Sequence, residues 1–269
     1  MSHLYAISDL HVGHPKNRAA IAKLPEYPDD WLIIAGDIGE KVEHFHYTFG
    51  LLTRRFAKLF WVPGNHDLWT LPKADMQLRG VARYQYLVEL CRDYGVVTPE
   101  DPFVEWTGAH PALIVPIFVG YDYTFRPAGL SKEIAMERAK ANNIYCVDEI
   151  VLHPDPHASR QDWCAARLRY TEQRLNAVTS DKPWIVVNHY PLRQDLAKLP
   201  RIPQFTLWCG TTGTEPWLQK FPIDTAVYGH LHIRQNARHD GVRHEEVSLG
   251  YPRQWNQARD LASYLRKLR

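Results

Sequence analysis

Phe60–Trp69 reads FWVPGNHDLW. The apolar residues Leu59 to Val62 stop at Pro63-Gly64, and Asn65, His66 and Asp67 follow at once. A run too short for a helix and closed by Pro-Gly reads as a buried strand entering a turn. Glycine tolerates backbone angles that other residues resist, so Gly64 would let the next side chains be aimed back at a site. Asn brings a neutral amide oxygen. His brings a nitrogen that can bind metal, move a proton or hold an anion. Alone, the tetrapeptide fits a plain strand exit as well as a functional one; its company decides.

The same construction recurs along the chain. Leu4–Ile7 runs into Asp9 and His11, two residues apart and therefore on one side of extended chain, where a carboxylate and an imidazole could grip one ion. By itself this pair also fits an Asp turn beside an unrelated His. Trp31–Ala35 delivers Gly36-Asp37, with Glu40 three residues on; Trp184–Val187 delivers Asn188-His189; Ala226–Tyr228 delivers Gly229-His230-Leu231-His232. Open α/β sheets bind ligands at the carboxyl ends of their strands. Five apolar runs, each broken by a metal-binding group, argue that the sheet edges converge on a metal site.

The set Asp9, His11, Asp37, Asn65, His189, His230 and His232 mixes imidazole nitrogen with carboxylate and amide oxygen and contains no thiolate. Such donors suit Mn²⁺, Fe or Zn²⁺, with Mn preferred, rather than a structural zinc or a Ca²⁺ cage. Seven groups exceed one tetrahedral ion and suit two ions that share a carboxylate. Ions about 3.5–4 Å apart can hold a hydroxide between them and coordinate the oxygens of a phosphoryl group. Two divalent ions against two carboxylates and a hydroxide leave about +1, attractive to phosphate.

Between these blocks, Phe45, Phe49, Leu52, Phe56 and Leu59 repeat at helical spacing and predict a helix over 41–58, with His44 and His46 at its surface. Further helices are expected at 80–94, with Cys91 on the core face, at 131–142, at 160–178 behind a Ser159-Arg-Gln-Asp162 cap, and at 257–268. Ala112–Gly120 and Val242–Leu249 read as strands. The long connections 121–160 and 193–216 are either site-facing or surface excursions, the former a candidate cap. No boundary divides the chain, so 1–269 is read as a single domain.

Composition narrows the class. The 269 residues are 45% hydrophobic and 23% charged, as in a globular soluble protein. A net charge of +2 and no basic stripe argue against a nucleic-acid or membrane partner. The cysteines at 91, 146, 164 and 209 form no CxxC motif and fit reduced thiols. The start MSHLYAISDLH meets Asp9 before any signal core forms, and the longest apolar stretch falls short of the ~20 residues of a membrane helix. A cytoplasmic location is expected.

The ordered blocks D9-x-H11, G36-D37, G64-N65-H66-D67, N188-H189 and G229-H230-x-H232 resemble the calcineurin-like metallophosphoesterase superfamily. The resemblance implies a four-layer α/β/β/α sandwich of two mixed sheets. It implies that Asp9, His11, Asp37 and His232 hold one ion, and that Asp37, Asn65, His189 and His230 hold the other. His66 would contact the phosphate and protonate the leaving oxygen. Glu40 matches the acidic residue that supports this histidine in the serine/threonine phosphatase branch, whereas GDIGE lacks that branch's Asp-Arg-Gly. More narrowly, DDWLIIAGD, RFAKLFWVPGNHDLW, LWCGTT, VYGHLHI and DGVRHEEVSLGYPRQW are similar to the bacterial phosphopantetheinyl hydrolases. That similarity implies a phosphodiesterase releasing 4′-phosphopantetheine from holo-acyl carrier protein, with Arg126, Arg193, Arg201 and Trp208 as candidates for reading the substrate. The competing expectations are a small-molecule or cyclic-nucleotide phosphodiesterase, and a non-catalytic scaffold on the same fold.

Overall fold

The computed structural model describes residues 2–73 and 76–269. In chain order the strands are β1 (Leu4–Ile7), β2 (Tyr27–Ile34), β3 (Phe56–Trp61), β4 (Val104–Trp106), β5 (Ala112–Pro116), β6 (Trp184–Val187), β7 (Ile223–Tyr228), β8 (Asn236–His239), β9 (Val242–Glu246) and β10 (Arg266–Lys267). The helices are α1 (Pro15–Ala22), α2 (Val42–Leu52), α3 (Asn65–Leu68), α4 (Gly80–Asp93), α5 (Lys132–Ala141), α6 (Asp148–Val151), α7 (Arg160–Asn176) and α8 (Trp217–Lys220). One sheet has the order β10-β1-β2-β3 and the other β4-β5-β6-β7-β9-β8. The central strands are parallel, with antiparallel edges at β10, β4 and β8.

Alternation along the strands sorts the side chains into layers, because successive residues face opposite sides of a sheet. Leu4, Ala6, Ile33 and Phe60 of the first sheet meet Ile114, Ile185, Val187 and Val227 of the second in an apolar layer between them. Ile7, Leu32, Ile34, Leu59 and Trp61 face the other way, against Phe45 and Phe49 of α2 and Leu87, Val88 and Cys91 of α4. On the far side, Leu113, Val115, Trp184 and Val186 pack under Cys164 and Leu175 of α7 and under α8. The result is the four-layer α/β/β/α sandwich of two mixed sheets. No helix among the described residues is long and apolar enough to cross a membrane.

Three expectations need correction. The helix expected over 41–58 stops at Leu52: Thr53 bonds back to the Phe49 carbonyl at 2.6 Å, and Phe56 opens β3. Phe56 fits the helical stripe only because a core-facing strand residue follows at a helical interval. His44 is buried, not superficial, because it packs beside Gly39 and Glu40. The segment 257–268 forms a 3-10 turn at Leu261–Tyr264 and then β10, which pairs antiparallel with β1. Its apolar residues face the sheet and leave no helical stripe.

The two sheets are joined where their parallel strands end. Ser8 bridges Ser248, its amide donating to the Val247 carbonyl at 3.1 Å while Leu249 donates to the Ser8 carbonyl at 2.8 Å. Within the second sheet, Asn188 and Gly229 extend the β6–β7 pairing past the strand ends by bonds to the Val227 and His189 carbonyls.

Candidate metal centre

The ends of β1, β2, β3, β6 and β7 bring together all seven residues expected as ligands. Asp9 Oδ1 lies 2.9 Å from His232 Nε2, and His232 Nε2 lies 3.2 Å from His11 Nε2. Asp37 Oδ2 lies 3.9 Å from His11 Nε2 and 3.5 Å from His189 Nε2, so this carboxylate stands between the two halves of the cluster. Asn65 Oδ1 faces His189 Nε2 at 3.3 Å and His230 Nδ1 at 3.2 Å. Asp9, His11 and His232 form one compact donor group, Asp9, Asp37 and His189 another, and His11, Asp37 and His66 a third.

Backbone geometry aims these groups. Asp9, His11, Asp37, His230 and His232 all have positive φ, between 41° and 69°. Asp and His reach this left-handed region more readily than most residues, and it turns each side chain off its strand toward a common centre. Gly64 itself has an ordinary φ of −94°, against the expectation of an unusual angle. It must be glycine for another reason: a Cβ there would strike the carboxylate and amide of Asp37. Asp67 locks the same loops together. Its carboxylate accepts from the amides of Asp37 (3.0 Å), Gly39 (3.1 Å) and Gly64 (3.0 Å) and from Trp61 Nε1 (3.2 Å). Burial pushes Asp67 up to about 6 despite these four donors.

The electrostatics fit cations. Asp9 and Asp37 are buried, and neither pairs with a Lys or Arg among the described residues. Burial, with the charges of Asp9 and Asp67, pushes Asp37 well above the carboxylate range. Burial acts the same way on Asp9, but the His232, His189 and His11 imidazoles outweigh it and hold that group well below. His11 is driven well below its ordinary value by burial and by the His66 and His232 rings, so it presents a lone pair. Burial likewise holds His189 and His230 below their ordinary value, whereas on His232 burial is outweighed by the attraction of Asp9 and that ring is raised. One raised imidazole beside two desolvated carboxylates leaves a need for compensating charge, which divalent ions would supply.

His66 stands beside this cluster, outside the seven. Its Nδ1 lies 2.8 Å from Glu40 Oε1, and its ring lies against Trp69 with centroids 3.6 Å apart. Burial alone would raise Glu40, but its bond to His66 prevails and holds the carboxyl below its ordinary value. Arg83, buried in α4, donates to the carbonyls of Asp67 (2.8 Å) and Glu40 (2.7 Å) and ties the two loops to the helix.

The residues expected to read substrate take no part in the cluster. Trp208 is 1% exposed and donates to Glu149 at 2.7 Å, so its ring is core and not a binding face. Arg126 is spent on the carbonyls of Tyr123 and Leu130, and Arg193 on Asp195 and Asp240. Arg201 is exposed.

Sequence reasoning missed a sixth strand end. β9 delivers Ser248, which donates to Asp9 Oδ2 at 2.7 Å, and Tyr251, whose ring stacks on His11 and whose hydroxyl lies 3.3 Å from His66 Nε2. The signal was weaker than at the other five ends: Val242–Leu249 carries Arg243, His244, Glu245, Glu246 and Ser248 among its apolar residues before it meets Gly250-Tyr251. Gln254, 2.7 Å from His232 Nδ1, and Asp148, 2.9 Å from Asn65 Nδ2, carried no such signal.

A family model for calcineurin-like phosphoesterases matches residues 2–234. The acyl-carrier-protein phosphodiesterase PptH of Mycobacterium tuberculosis (strain ATCC 25618 / H37Rv) is 47% identical over 268 residues, covering 98% of this chain and 82% of the relative. The crystal structure of phosphopantetheinyl hydrolase (PptH) from Mycobacterium tuberculosis superposes with a TM-score of 0.94, covering 99% of this chain and 95% of that one at 47% identity. With the family model spanning strand ends β1 to β7, this chain belongs to the calcineurin-like phosphoesterases.

Proposed function

We propose that this phosphoesterase is a two-metal phosphodiesterase that releases 4′-phosphopantetheine from holo-acyl carrier protein. The observation that carries the substrate is the 47% identity, over nearly the whole chain, to an acyl-carrier-protein phosphodiesterase. Asp9, His11, Asp37 and His232 would hold one ion and Asp37, Asn65, His189 and His230 the other, with Asp37 shared. Mn²⁺ is the preferred ion on donor chemistry. Two such ions supply an activated water and polarise the phosphoryl group.

The chain's own residues do the rest. Glu40 holds Nδ1 of His66, which fixes the ring and leaves Nε2 to face the substrate. From there His66 gives a proton to the departing serine oxygen, so that the phosphate–serine bond breaks and the phosphate leaves with the pantetheine. Trp69 keeps the ring from rotating. A scaffold would have no use for this Glu40–His66 pair beside a complete ligand set. A cavity of about 560 Å³ that Glu40 lines together with Lys41, Glu43, Lys73, Met76 and Tyr86 is our candidate approach for the carrier protein. We read 1–269 as a single domain in which 121–160 forms one wall of the site. The four cysteines, all buried and unpaired, support a reducing, cytoplasmic setting.

The test offers holo-acyl carrier protein, bis-p-nitrophenyl phosphate and p-nitrophenyl phosphate to the Mn²⁺-loaded enzyme. Conversion of holo to apo carrier protein by intact mass is the expected result. Diester turnover with an untouched carrier protein would reject the substrate and keep the reaction. Two bound ions with no turnover of any substrate would reject both.

A further inference from the structure

Asp148 belongs to none of the five blocks, yet it is fully buried and reaches the centre from the segment 121–160. Its Oδ1 accepts from Asn65 Nδ2 at 2.9 Å and from Trp69 Nε1 at 2.6 Å. The oxygen that accepts the indole N–H offers Asn65 an acceptor too, and an amide has one donating end and one accepting end. Asp148 can therefore bind Asn65 only by its NH₂, which leaves the amide oxygen turned toward His189 and His230. With the amide reversed, two N–H groups would face the position of a cation. The same oxygen holds the indole N–H of Trp69, whose ring lies on His66.

The next residue explains how Asp148 is kept in place. Glu149 accepts from Tyr123 (2.8 Å), Trp208 (2.7 Å) and Arg160 (3.0 Å), three residues far apart in the chain. Arg160 also donates to the Asp148 and Leu152 carbonyls at the two ends of α6. The one-turn helix is thus fastened from three sides by one acid while its neighbour points inward.

We propose that Asp148 is a positioning residue for the reaction: it sets the amide of Asn65 oxygen-inward and braces Trp69 behind His66. The wall 121–160 is therefore part of the catalytic apparatus and not a detachable cover. This inference rests on the two-ion reading above, in which Asn65 serves only one of the ions. Loss of Asp148 then weakens one ion position and spares the other.

The experiment titrates Mn²⁺ into metal-free protein and measures bound metal per chain by elemental analysis, with circular dichroism to confirm folding. Wild type is expected to take two ions; fewer would reject the two-ion reading before any variant is compared. Asp148→Leu removes the acceptor and is expected to bind the second ion about 10–100-fold more weakly, the usual cost of losing a ligand's outer partner. Asp148→Asn keeps an acceptor oxygen and is expected to retain both ions. Glu149→Gln, which loosens the same turn without touching Asn65, is expected to melt lower and still bind both. Two ions at wild-type affinity in Asp148→Leu would overturn the proposal. So would equal loss in Glu149→Gln or in Asp148→Asn, and the latter decides the matter should Asp148→Leu fail to fold.

Discussion

His66 and Asp37 sit a few ångströms apart and have different work, and single substitutions separate them. His66 bonds to Glu40 and Tyr251 and lies outside the seven-donor set. His66→Ala is therefore expected to keep its metal and lose turnover by about 10²–10⁴-fold, the usual worth of a positioned acid. Metal analysis beside steady-state rates checks this, and metal loss would mean that His66 is a ligand. Asp37→Ala should lower occupancy of both positions, since its carboxylate stands between His11 and His189. Two fully bound ions in that variant would deny it the shared role. At this scale the sequence was informative wherever the group is local to a strand end, as for Asp9, Asp37, Asn65 and His189. It was silent on Asp148 and Gln254, whose contacts with the site cross 83 and 22 residues of chain. Arg126, Arg193 and Trp208 were attractive by residue type, but Arg126 is taken up by the neighbouring Tyr123 and Leu130 carbonyls, Arg193 by Asp195 and the distant Asp240, and Trp208 by the distant Glu149.

Elements were legible in proportion to the regularity of their apolar pattern. The strands at Leu4–Ile7 and Trp184–Val187 and the helices near 80–94 and 160–178 stand close to where periodicity places them. The short edge strands β4, β8 and β10 carry too few residues for alternation to be recognised, and what makes them strands is a neighbour's edge. On β9, His244 is fully buried, and neither of its ring nitrogens has a hydrogen-bond partner. Burial, with the charges of His239 and Arg193, brings it down to about 4 from 6.5. Below about pH 6.5 the unfolded chain takes up this proton, whereas the folded one refuses it until about pH 4. His244 therefore costs stability as pH falls through that window and costs nothing above it. His244→Leu is expected to flatten the acid side of the stability curve between those values. Denaturant midpoints at pH 7.5, 6 and 5 check this; an unchanged slope would mean that the imidazole protonates in place.

Across the whole molecule, the centre lies on the seam between two sheets. Asp9, His11, Asp37 and Asn65 come from the first, and His189, His230 and His232 from the second. Ions bound there would hold the layers together and favour the folded state by mass action. Chelation is expected to lower the melting temperature, and added Mn²⁺ to restore it, in scanning calorimetry. A melting temperature indifferent to chelator would leave the seam held by its hydrogen bonds alone. The positive φ angles at Asp9, His11, Asp37, His230 and His232 have a further consequence, one for descent. Each such angle costs an ordinary residue about 1–3 kcal/mol, and persists only where the surroundings enforce it. A lineage that kept this fold but gave up the chemistry would be free to relax those positions to glycine or asparagine and would gain stability by doing so. Aspartate and histidine enter this region more readily than most side chains but less freely than glycine, so what accounts for them at these five positions is what they hold and not the backbone.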